Sequence, residues 1–174
     1  GFITASIIGY TNAGKSQLLN VLTNANIKSQ NKLFSTLDPT TRKLSNKYNF
    51  KNNILLSDTV GFIDKLPTTL VAAFRATLEE ISDSNVIIHV LDISDKELSN
   101  KYETSNKILK ELGYDNKPTL IVLNKIDKLK NLDENLSEVE FHNNNTAYIS
   151  ALKEINIEEF ITKLSYITDR ITKG

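Results

Sequence analysis

The chain contains no cysteine, no methionine and no tryptophan, and only three prolines in 174 residues. Without cysteine there can be no disulfide, no thiolate metal site and no cysteine nucleophile, a composition that suits a reducing cytoplasm. Without methionine even at position 1, the chain reads as a piece of a longer protein, with Gly1 as a vector residue. No apolar run approaches the ~20 residues of a membrane span, and no signal-peptide pattern opens the sequence. Basic and acidic residues number 21 each, so no basic face is guaranteed for a nucleic acid. The lysines between Asp95 and Lys130 are interleaved with acids, as on a solvated helix surface. What is present is 40% hydrophobic residues, ordinary for one globular domain of this length.

Three short motifs carry chemistry. Directly behind the apolar run Ile3–Ile8, the octapeptide Gly9, Tyr10, Thr11, Asn12, Ala13, Gly14, Lys15, Ser16 fits the Gly-x4-Gly-Lys-Ser pattern of a phosphate-cradling loop. Glycines let the backbone bend around an anion so that its N–H groups converge, and the helix that follows adds unpaired donors and a positive dipole end. Lys15 is expected to reach the β and γ phosphates, and the Ser16 hydroxyl to ligate Mg²⁺. The apolar stripe Leu18, Leu19, Val21, Leu22 supplies that helix and argues against an ordinary glycine turn.

Asp58-Thr59-Val60-Gly61 follows the strand-like Ile54-Leu55-Leu56. A carboxylate at the carboxyl end of a strand can support Mg²⁺ through a bound water, and a glycine N–H can approach a γ-phosphate without a Cβ in the way. The third motif, Asn124-Lys125-Ile126-Asp127, ends a second apolar run, Thr119–Leu123. Asp127 can accept two hydrogen bonds from the N1–H and exocyclic amino group of guanine, a donor pair that adenine lacks. Asn124 would hydrogen-bond the base and tie it to the phosphate loop, while the Lys125 stem lies against the ring. A site built this way strands a buried acceptor when the wrong base enters, and discrimination of about 10⁴ to 10⁵ is attainable.

The segments GYTNAGKS, Phe34-Ser35-Thr36-Leu37-Asp38-Pro39-Thr40-Thr41-Arg42, DTVGFI, Ala72 to Glu80 (AAFRATLEE) and NKID together resemble the GTP-binding domain of HflX-type GTPases, over almost the whole chain. The resemblance implies an α/β P-loop NTPase fold with a mostly parallel six-stranded sheet and helices on both faces, spanning residues 1–174. It implies Mg²⁺-dependent hydrolysis of GTP to GDP, with Lys15, Thr36 and Gly61 at the reacting phosphate and Ser16, Thr36 and Asp58 around the metal. Thr40 and Thr41 are chemically equal candidates for the switch threonine, and only the family alignment favours Thr36; the start of a β-strand is the other reading of that pair. Phe34, Ser35, Leu37 and Asp38 would border the nucleotide, and Ser150-Ala151-Leu152 would form the last base loop, the Ala151 N–H donating to guanine O6. The implied partner is the large ribosomal subunit, in ribosome splitting or rescue under stress, with the domain itself monomeric.

Phe62 stands where the best-known small GTPases carry a water-orienting glutamine, and a phenyl ring cannot position a nucleophile. The chain thus resembles the GTPases with slow intrinsic turnover, whose missing charge stabilisation comes from elsewhere. Asn12 could ligate K⁺ near the β–γ bridge, or it could simply cap the loop. A binding module that responds to GTP or GDP with negligible hydrolysis is the alternative function. A P-loop kinase or ATPase leaves NKID unexplained.

Apolar runs alternating with helical stripes predict a parallel sheet with crossover helices. Strands are expected at Ile3–Ile8, Lys43–Phe50, Asn53–Ser57, Ser84–Ile93, Lys117–Leu123 and Thr146–Ile149, the second and third antiparallel around a turn at Lys51-Asn52. Helices are expected over Lys15–Thr23, from Pro67 through Ile81, over Lys96–Leu112 with Gly113 as its cap, and along the stripe Ile157 to Ile171. Asn24–Thr41 and His142–Asn145 read as loops. His89, inside its strand, reads as a core side chain without a catalytic role.

Overall fold

A computed structural model describes residues 2–23, 41–59, 75–130 and 145–173. The expected positions Phe34, Ser35, Thr36, Leu37, Asp38, Thr40, Val60, Gly61, Phe62 and Pro67 lie outside those residues.

Period-two patterning decides the sheet. In β4 (Val86–Asp92), the side chains of Val86, Ile88 and Val90 join one apolar cluster, and those of Ile87 and Leu91 join clusters on the opposite face. β5 (Thr119–Asn124) divides in the same way, with Leu120 and Val122 on one face and Ile121 and Leu123 on the other. Strands buried on both faces need helices on both. One face is covered by α1 (Lys15–Thr23) through Leu18, Leu19 and Leu22, and by α4 (Ile157–Lys173) through Phe160, Leu164 and Ile167. Ile81 of α2 (Arg75–Asp83) and Leu109 of α3 (Leu98–Glu111) pack on the other.

With β1 (Phe2–Ile8), β2 (Thr41–Lys43), β3 (Asn53–Asp58) and β6 (Thr146–Tyr148), the six-stranded sheet has the order β2-β3-β1-β4-β5-β6. All pairs are parallel except β2 with β3. This is the α/β architecture expected. The chain leaves β1 toward β3 on one side and later crosses to β4 on the other, so the loop after β1 sits at the topological switch point where open sheets of this kind bind ligands.

One expected strand is corrected. Lys43–Phe50 does not continue as a strand: after a last bond to β3, from the Leu44 N–H to the Ile54 carbonyl at 2.9 Å, the chain turns away and Asn46–Tyr48 forms a 3₁₀ turn. The competing interaction is with α1, whose last carbonyls lack partners inside the helix. The Ser45 N–H donates to the Leu22 carbonyl at 2.9 Å and the Tyr48 hydroxyl to that of Val21 at 3.1 Å. Asn49 then takes a left-handed conformation, φ +53°, which asparagine tolerates. Thr41, at the end of the expected loop, begins β2, in line with the reading of the Thr40-Thr41 pair as the start of a strand.

Gly113 does cap α3 as expected. At φ +83° it lets its own N–H reach the Lys110 carbonyl and that of Tyr114 reach Leu109, closing two orphan acceptors.

Candidate nucleotide site

Four loops meet at the carboxyl edge of the sheet, each delivered by a strand: residues 9–14 after β1, 58–59 at the end of β3, 124–128 after β5 and 150–152 after β6. The first of them is shaped by two glycines. A Cβ on Gly9, at φ +153°, would stand 2.5 Å from the Val90 carbonyl oxygen of β4. At Gly14, φ +93°, a Cβ would collide with the side-chain amide of Asn124. Glycine at 14 is thus required twice, for its backbone angle and to admit a side chain from the base end. Between them Thr11–Ala13 makes one 3₁₀ turn closed by the Ala13 N–H on the Tyr10 carbonyl at 3.0 Å. Lys15 and Ser16 open α1, whose first N–H groups have no acceptor within the helix.

Lys15 is buried, 5% exposed, and its Nζ lies 3.2 Å from Asp58 Oδ1 and 3.4 Å from the Thr59 carbonyl. Asp58 is 8% exposed, so this is a buried ion pair. Thr59 is held in turn, its hydroxyl donating to the Ile7 carbonyl at 2.8 Å. Ser16 presents its hydroxyl from an exposed position.

At the base end Asn124, 2% exposed, joins three loops. Its Nδ2 donates to the Ala13 carbonyl at 2.9 Å, and its Oδ1 accepts from the Ala151 N–H at 2.9 Å. The Ala151 N–H, assigned by resemblance to guanine O6, is therefore engaged with Asn124 here. Lys125 adopts φ +73° and its Nζ donates to the Asn12 carbonyl at 2.6 Å. Ile126 is buried beside Leu91, Ile93, Leu123 and Tyr148 and anchors the loop. Asp127 stays exposed, its Oδ1 accepting from Ser150 Oγ at 2.7 Å, and Leu152, two residues after Ser150, is exposed as well. The Asn12 side chain is exposed, and the backbone carbonyl of the same residue is the one that Lys125 takes.

Hard oxygen donors, the Ser16 hydroxyl and the Asp58 carboxylate, suit Mg²⁺, which is usually held by few protein groups together with phosphates and waters. Among the described residues no group of three or more His, Asp or Glu side chains is gathered to hold a metal by itself, and such a donor set does not need one.

His89 is fully buried between its β1 and β5 neighbours, Ile8 and Ile121, and stacks on Tyr102 at 5.9 Å. Burial pushes its pKa down to about 4. Among the described residues neither ring nitrogen has a hydrogen-bond partner, so it is a core side chain but an unsatisfied one. Other hollows lie away from the loops. One of about 320 Å³ is lined by Pro118, Asn145, Ile167, Arg170 and Ile171, at the opposite end of β5 and β6.

Sequence reasoning passed over Asp92. It ends β4 in register with Asn124, and its Oδ2 lies 3.4 Å from Lys125 Nζ. An acid closing a central strand, at the same edge as the motifs, was the available signal.

The sequence profile of a 50S ribosome-binding GTPase family matches residues 4–125. GTPase HflX of Magnetococcus marinus is 44% identical over 161 residues, covering 92% of this chain and 36% of that protein. GTPase HflX of Escherichia coli is 39% identical over 162 residues, covering 93% of this chain and 38% of that protein. Among solved structures, a GTP-binding protein from the hyperthermophilic archaeon Sulfolobus solfataricus in complex with GDP has a TM-score of 0.74 at 32% identity, over 97% of this chain and 53% of that one. The chain spans little more than a third of the length of these two curated relatives.

Proposed function

Because the chain belongs to the 50S ribosome-binding GTPase family, we propose that residues 1–174 form one GTP-binding domain that hydrolyses GTP to GDP and phosphate as a conformational switch. Similarity to HflX-type proteins bears out the resemblance drawn from the motifs. The observation that carries the reading is the junction at Asn124, which bonds the phosphate loop and the last base loop at once. Purine and phosphate ends of one nucleotide would thereby be read by a single rigid unit.

In this reading the Asp127 carboxylate, oriented by Ser150, accepts the two guanine donors, and the Lys125 stem lies along the ring. Lys15, now paired with Asp58, turns its ammonium to the β and γ phosphate oxygens, and the loop N–H groups share the charge. Ser16 and Thr36 would hold Mg²⁺, with Asp58 behind a water; bound there, the ion screens charge that builds between the β and γ phosphates. Catalysis is then positioning and electrostatics, with water attacking in line and the Gly61 N–H approaching the γ-phosphate. Neither Phe62 nor the buried His89 offers a base. Asn12, exposed on the phosphate loop, is the residue assigned to K⁺ as a second cation. The partner is the large ribosomal subunit and the setting the cytoplasm, both supported by the family, with the domain acting as a monomer. Among the described residues no helix is long and apolar enough to cross a membrane.

Multiple-turnover phosphate release, in K⁺ and in Na⁺, with and without large ribosomal subunits, tests this. Release beyond one phosphate per protein, faster with subunits and faster in K⁺, is the expected result. GTP binding without turnover under every condition would leave the binding-module alternative, and displacement of bound GDP by ATP would defeat guanine selectivity.

A further inference from the structure

Two acid–lysine pairs stand behind the phosphate loop, and the acid of neither belongs to a nucleotide motif. The turn that follows β4 supplies both acids. Asp92 Oδ1 is taken by the Ser94 N–H at 2.8 Å and the Ser94 hydroxyl at 2.6 Å, which leaves Oδ2 facing Lys125 Nζ at 3.4 Å. That same Nζ donates to the Asn12 carbonyl on the crest of the loop. Three residues on, Asp95 accepts from the Glu97 N–H at 2.8 Å with one oxygen and binds Lys101 Nζ at 2.5 Å with the other. The Lys101 ammonium lies 5.1 Å from the centre of the Tyr10 ring, at the near shoulder of the loop. The turn is itself tied to the base strand, the Ile93 N–H donating to the Asn124 carbonyl at 3.0 Å.

We propose that Asp92 is a positioning residue for the nucleotide: it holds the Lys125 ammonium over the Asn12 carbonyl and so sets the shape of the phosphate loop without touching the ligand, while Asp95, through Lys101 and Tyr10, steadies the loop's other end. A lysine side chain left to itself samples many rotamers, and its ammonium prefers water. Here the Lys125 side chain is 24% exposed and the Asp92 side chain 11%, so the pair is shielded enough for its charge to matter. Preorganising the loop removes ordering that a bound nucleotide would otherwise have to impose. The effect belongs in the dissociation rate, since a shielded charge pair acts after docking rather than on encounter.

The inference rests on guanine-nucleotide binding, and the experiment separates the two. Release of a fluorescent GDP analogue is followed by stopped flow for the unaltered chain, D92N, K125M and the double variant. D92N is expected to release the analogue roughly 5- to 30-fold faster, with preference over ATP unchanged because Asp127 and Ser150 are untouched. In the K125M background the same substitution should add nothing, a coupling that general destabilisation would not produce. Should D92N fold poorly, S94A loosens the same carboxylate while keeping its charge, and release about threefold faster is expected. Unchanged release in D92N, or in S94A where D92N does not fold, overturns the inference. So does equal acceleration with and without Lys125. No binding by the unaltered chain removes the proposed function, and this inference with it.

Discussion

The two ends of the site are held by different kinds of force. At the base end the contacts are mostly short bonds between a fixed side chain and the backbone or a hydroxyl: Asn124 to Ala13 and Ala151, and Ser150 to Asp127. At the phosphate end, one buried ion pair, Lys15 with Asp58, does the joining. Satisfied bonds of the first kind fix a shape and resist exchange. A buried ion pair offsets two desolvated charges against each other, and either partner can be recruited by a stronger charge such as a phosphate. In the proposed reading the base end recognises, and the phosphate end changes partners.

The largest effect expected from that contrast concerns recognition alone. Asp127→Asn should lower the preference for guanine over adenine nucleotides by up to about 10⁴, with little change in melting temperature because Asp127 is exposed; competition titrations against labelled GDP measure it. Next comes Asn124→Ala, which leaves the Ala13 carbonyl and the Ala151 N–H without their partner at a buried site. Unfolding free energy should fall by roughly 2–5 kcal/mol, and nucleotide affinity should fall with it, as read by denaturant melts and calorimetric titration of GDP.

His89 lies in β4 between the two ends and tests whether both rest on one support. Its pKa is about 4 when folded against 6.5 ordinarily. The unfolded chain therefore takes up a proton that the folded chain refuses as pH falls through 6.5. Stability contributed by this neutral ring is whole above pH 6.5 and is lost progressively down to pH 4, about 3 kcal/mol in all. Melts between pH 7 and pH 4 should show that slope in the unaltered protein and a flatter one in His89→Leu. Equal slopes would remove His89 as the source.

The smallest expected change in stability comes from replacing the whole ion pair. Lys15→Met combined with Asp58→Asn should shift unfolding free energy by only about 1 kcal/mol in either direction, yet weaken GTP binding strongly. Lys15→Met alone strands a buried carboxylate and should destabilise by about 3 kcal/mol. If the double variant melts as low as the single, the pair is structural rather than exchangeable.

Much of the sheet could be read in advance because its signal is local. Val86 to Leu91 alternates between two apolar faces and cannot be laid flat against one layer of helices, so helices on both sides follow. Gly113 at a helix end demanded a left-handed turn, and the turn is there. Lys43–Phe50 misled because its own pattern permits a strand, while the deciding partners, the carbonyls of Val21 and Leu22, lie in another element. The site was legible as a set of residue types at the ends of strands. Its wiring was not: that Gly14 must make room for Asn124, or that Asp92 stands behind Lys125, depends on how strands distant in sequence come into register.

Residue identity and order alone settled which chemistry is at hand, since a glycine bend, a lysine, hydroxyls and carboxylates keep their properties wherever the chain carries them. Folding settled who meets whom. Asn124 and Ala13 are 111 positions apart, and Lys15 and Asp58 are 43 apart; no local pattern encodes such pairs, because only the lateral order of parallel strands brings their ends to one edge.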